Sequence, residues 1–177
     1  KDQKSVEAKE NYSPNLRNAN FSYLILNDID LSGFDLNGAN FDGTNTLGIN
    51  LSNVDLSGND MQGNEFSDAI FSGSSLSGSQ LAESNFMDAK LDNANLSEAD
   101  LTNAFLCGAD FTGSDLTDAT LMGADLTGVD FTNADLTGAD ISRADLTNIN
   151  FSNTNLANAD LRGTYLAVRM VDYVSFT

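Results

Sequence analysis

Carboxylates are the acid–base and metal-binding groups this sequence holds in number, and they recur at fixed intervals. Asp110 and Asp130, Asp115 and Asp135, Asp125 and Asp145, and Asp140 and Asp160 each stand twenty residues apart. Paired carboxylates catalyse when a cleft gives the two groups different environments. Histidine, the commonest general base and metal ligand, is missing from the chain. The single cysteine, Cys107, excludes an internal disulfide, and no base lies close to it in sequence to activate the thiol. Neither an EF-hand loop nor a Gly-Gly-x-Gly-x-Asp nonapeptide occurs, so calcium between the rows has only weak support and no cofactor is expected. A structural role accounts for the rows more simply. Each Asp accepts hydrogen bonds from the neighbouring turn or a Ser/Thr hydroxyl, which offsets the roughly 1 kcal/mol repulsion of charges about 5 Å apart in water.

What sets those intervals is a period of five. Large apolar residues run from Leu16, Phe21 and Leu26 in unbroken steps of five to Val171 and Phe176, and only Thr46 in the series is not apolar. Two residues before each centre stands a small or β-branched residue, as at Ala39, Ala69, Ala89 and Ala104. Asp or Asn precedes the centre, Ser or Thr often follows it, and all 14 glycines fall two residues after it. Side chains alternate along an extended segment, so the small residue and the centre share one face while the Asp or Asn between them points away. The last two residues turn a corner, which suits Gly and Asn, for which positive φ is easiest. Repetition makes a polygon with an apolar interior. Four sides give a coil of 20 residues, and the sequence supports that number: Leu16, Leu36, Leu56, Leu76, Leu96, Leu116, Leu136 and Leu156 form one column, and Phe111, Phe131 and Phe151 fall in another.

The pattern A-(D/N)-(L/F)-(S/T)-(G/N), seen in Ala109-Asp110-Phe111-Thr112-Gly113 and Ala134-Asp135-Leu136-Thr137-Gly138, resembles the pentapeptide-repeat family over about residues 14–176. That resemblance implies an all-β fold, a right-handed quadrilateral β-helix, here of about eight four-sided coils. It implies little about activity. Residues 1–13 precede the repeat and are expected to form a leader or a short capping helix, with the β-helix occupying 14–177. Tyr165, Val168, Met170 and Tyr173 put apolar groups in normally polar phases, which suits either a closing cap or an end-to-end dimer contact.

Charge narrows the partners. The chain has 26 Asp and Glu against 8 Lys and Arg, a net charge of −18. Beyond Arg17 the only bases are Lys90, Arg143, Arg162 and Arg169. Such a body repels nucleic acid and anionic membrane, so direct nucleic-acid binding is not expected, and no window approaches the roughly 18 or more apolar residues of a membrane span. A basic protein surface is the complementary partner. Most outward apolar residues gather on one side: Tyr23, Ile25, Leu47, Met87, Phe105 and Cys107. Clustered exposed apolar groups mark interaction sites. Leu47 has a second expectation, that it turns inward to replace Thr46. The expected function is thus non-enzymatic: a rigid acidic rod that presents a surface to a protein partner, as a monomer or an end-to-end homodimer. The alternative is DNA mimicry against a topoisomerase such as DNA gyrase, as the resembled family's quinolone-resistance proteins perform. An uninterrupted convex wall is expected to lack the cleft that an enzyme needs. The first residue is Lys1 rather than Met. The compartment stays open: cytoplasmic or, if a targeting segment has been removed, thylakoid lumen or periplasm, as the resemblance to a family richest in cyanobacteria and plastids implies.

Overall fold

A computed structural model describes residues 15–165. Backbone bridges in it join the outward residues to those twenty positions later, always in parallel and with one exception (Asn40), from Asn15 with Asp35 to Asp145 with Tyr165. A five-residue side and a twenty-residue return mean four sides per coil. The coils are tied by two alternating backbone bonds. Phe111 N–H donates to the Asp130 carbonyl (2.8 Å) on one neighbouring coil, and Asp110 N–H donates to Ala89 (3.0 Å) on the other.

Corners are local. Ser114 N–H donates to the Phe111 carbonyl (3.0 Å), closing a turn of four residues. Its third residue has positive φ throughout: every described residue of that phase, from Asn18 to Gly163, lies at 55–74°. Asn and Gly tolerate this region; Tyr23, Glu83, Glu98 and Arg143 adopt it at a steric cost. The preceding Asp or Asn fixes the corner from outside. Asp115 Oδ1 accepts from the Thr117 N–H (2.9 Å) and its hydroxyl (2.6 Å), and Asp135 accepts from the Thr137 N–H at 2.9 Å. Repetition of this bond explains an Asp at that phase without invoking chemistry.

The interior is a stack of apolar columns. Leu36 to Leu136 in the leucine column are fully buried, and so are the inward-phase alanines Ala69, Ala89, Ala94, Ala99, Ala104 and Ala109. Phe111, Phe131 and Phe151 stack with ring centroids 5.2 and 5.8 Å apart, and Phe66 lies 5.1 Å from Phe86. Thr46 stays in the core, fully buried, with its hydroxyl donating to the Glu65 carbonyl, while Leu47 remains outside. The inward turn expected of Leu47 does not occur, because that hydrogen bond satisfies the one polar group of Thr46 and removes the penalty for burying it.

One stretch departs from the regular wall. Among the described residues, close inter-coil backbone bonds are interrupted between 34–46 and 55–65: Leu36, Phe41, Gly43 and Thr46 make none to the next coil, Asp55, Asp60 and Glu65 make none back, and at the centre no bridge joins Asn40 to Asp60. Asn59 and Asn64 occupy the inward phase where alanine is the commonest residue, and both are buried. The Asn59 side chain takes over two ladder groups. Gly38 N–H donates to its Oδ1 (3.0 Å), and its Nδ2 donates to the Ala39 carbonyl (3.3 Å). The continuous wall expected from the unbroken repeat is thereby opened into a crevice of about 580 Å³, lined by Gly38–Asn40, Asp42, Gly58–Gln62 and Asn64.

Candidate functional site

The face expected to carry apolar residues is built from two adjacent columns. One holds Ile25, Asn45, Glu65, Asn85, Phe105, Asp125, Asp145 and Tyr165, joined by successive bridges. The other contains Leu47, Ser67, Met87 and Cys107, whose order follows from the ladder bonds between their coils. Phe86 N–H donates to the Phe105 carbonyl (2.7 Å) and Asp88 N–H to that of Cys107 (3.0 Å), which seats Met87 one coil from Cys107 and diagonally from Phe105. Phe105 is 53% exposed and Met87 44%, whereas Cys107 is half-buried.

Tyr23, Ile25 and Leu47 form a second group on the first two coils. Between the groups lies a polar coil, where Asn85 Nδ2 donates to Glu65 Oε2 at 3.1 Å. Leu24 and Ile29 add exposed apolar surface to the end group. Their inward phase hid them in the sequence; their exposure belongs to the end of the described rod. Tyr165 is 65% exposed and shares the column of Phe105. Val168, Met170 and Tyr173, and the leader 1–13, lie outside the described residues.

Electrostatics around the central group are one-sided. Asp88 and Asp125 flank Cys107, and burial, followed by the charges of Asp125 and Asp88, pushes its thiol above the ordinary range. The thiolate is the reactive form, so this cysteine is a poor nucleophile. Cations near the described ends are spent locally: Arg17 contacts Asp35 at 3.2 Å and Arg162 contacts Asp160 at 2.5 Å. Both pairs are on the surface and add little stability. Among the described residues no group of three or more Asp, Glu or Cys is placed to hold a metal ion. No helix among them is long and apolar enough to cross a membrane.

The five-residue side, the twenty-residue return and the Asp-capped corner define a solenoid of pentapeptides. The sequence matches the pentapeptide repeats family model in 8 copies, over residues 15–45, 35–73, 49–88, 89–128 and 130–167. The protein belongs to that family. Similar solved structures include a pentapeptide repeat protein of the Arabidopsis thaliana thylakoid lumen (32% identity, 55% of this chain and 68% of that one, TM-score 0.45). Another is Rfr23 of the cyanobacterium Cyanothece 51142 (19% identity, 72% and 91%, TM-score 0.47). A third is QnrB1, a plasmid-mediated fluoroquinolone resistance protein (23% identity, 84% and 78%, TM-score 0.46). No curated protein matches the sequence.

Proposed function

We propose that this chain is a non-enzymatic interaction module: a right-handed quadrilateral β-helix of about eight coils that presents the Met87–Phe105–Cys107 spot to a protein partner. The observation that carries the reading is Phe105, an exposed aromatic ring in a column otherwise filled mainly by Asp, Asn and Glu. An aromatic anchor inside a charged rim is the arrangement of an interface hot spot. Asp88 and Asp125 on that rim select a partner with Lys or Arg around an apolar pocket. Tyr23, Ile25 and Leu47 form a secondary contact on the same face.

The acidic columns give the topoisomerase reading its support, yet their geometry favours a structural role. Asp110, Asp115, Asp130, Asp135 and Asp145 each have Oδ1 committed to their own turn. A photo-crosslinking residue placed at Phe105, with Thr117 on the opposite face as control, tests the proposal in an extract of the source cells. A discrete protein adduct from position 105 alone is expected. Equal labelling from both positions would refute it.

A further inference from the structure

The parted coils around Asn59 form a second feature, on a different side of the rod from Phe105. Along one lip the N–H groups of Phe41 and Gly43 lack the inter-coil acceptors that Phe111 and Gly113 find in Asp130 and Thr132. Along the other, Asp60 N–H lacks the bond that Asp130 makes to Ala109. Buried Asn64 beside them has an amide nitrogen with no partner. Asp42 and Asp60 are the only charged groups lining the opening, and both are acidic. Its volume of about 580 Å³ falls within the roughly 300–1,000 Å³ of ligand pockets.

Two facing backbone edges with unmet donors and acceptors are complementary to a third extended backbone. We infer that the crevice accepts a short extended basic peptide segment, hydrogen-bonded through its main chain to Phe41, Gly43 and Asp60, with Lys or Arg side chains meeting Asp42 and Asp60. The lips are short, so the segment that pairs is about four residues long at roughly 3.3 Å each. Asn59 is the positioning residue, because its amide holds Gly38 and Ala39 away from their ladder partners. An alanine in its place restores the repeat and lets the coils close.

The test uses the full chain, isotopically labelled. Before any peptide is added, the amides of Phe41, Gly43 and Asp60 should exchange at least about a hundredfold faster than those of Phe111, Gly113 and Asp130 at the same phases. Titration with Ac-Lys-Thr-Lys-Thr-Lys-NH2 should move and protect those three amides, and Ac-Glu-Thr-Glu-Thr-Glu-NH2 should bind at least about tenfold more weakly. Asn59→Ala should raise protection at all three and weaken the lysine peptide by a similar factor, with no loss of thermal stability. Equal protection at both sets of amides in the unliganded protein would overturn the inference. So would lysine-peptide shifts spread along the Asp columns, or binding unchanged in Asn59→Ala.

Discussion

Removing the ring of Phe131 takes the middle out of a three-deep aromatic stack. The side chain is fully buried, with the rings of Phe111 and Phe151 on either side at 5.2 and 5.8 Å. The coils above and below are held by their own backbone ladders and cannot collapse into the space, so Phe131→Ala should cost about 3–5 kcal/mol, typical of such changes. For a chain of this size each kcal/mol lowers Tm by about 2–4 °C, which gives a fall of roughly 6–20 °C. Coils in a solenoid are coupled mainly to their neighbours. Amide exchange should therefore accelerate first at Phe111 and Asp130, while Phe41 and Leu51 change little. Phe105→Ala removes the same ring from the outside and should stay within about 0.5 kcal/mol. Thermal unfolding followed by circular dichroism, with exchange on the same samples, decides it. Equal losses from the two substitutions would refute the four-sided register that sends residue 131 in and residue 105 out.

Other outcomes follow from the corners and the charge. Glu98 sits at φ 59°, so Glu98→Asn should raise stability by about 0.5–1 kcal/mol in urea unfolding. Hydrogen bonds from the Ser57 hydroxyl and N–H hold Asp55 below its ordinary value of 3.8. A depressed folded-state value contributes stability that is complete above pH 3.8 and is lost as pH falls through the folded value. An acid titration of Asp55→Ala should therefore converge with wild type below that point and fall short of it above. With a net charge of −18, raising NaCl at pH 7 should increase Tm. Cys107 should react with a disulfide reagent at pH 7 more slowly than free cysteine; a faster reaction would contradict its burial between Asp88 and Asp125.

Much of the fold was legible because one constraint repeats. Leu116, Phe131 and Ala109 could be placed inside from spacing alone, since alternation and a corner every five residues leave one arrangement that buries them all. Asp115 was equally readable as a turn acceptor. Less legible were features that depend on how one coil meets the next. Thr46 and Leu47 could not be ordered by pattern, because the choice turns on whether the Thr46 hydroxyl finds the Glu65 carbonyl. The crevice had a sequence signal in Asn59 and Asn64 at the inward phase, yet an unbroken centre series from Leu56 to Phe66 suggested a closed wall. The apolar face was read as one surface, and coil order divides it at Glu65 and Ser67.

The proposed interface is tested most directly by recovering partners on four immobilised proteins: wild type, Phe105→Glu, Met87→Glu and Thr117→Glu. Wild type and Thr117→Glu should retain the same partner in equal amount, and the Phe105 and Met87 variants should lose it while unfolding at the wild-type temperature. Identical recovery on all four would contradict the assignment of this face.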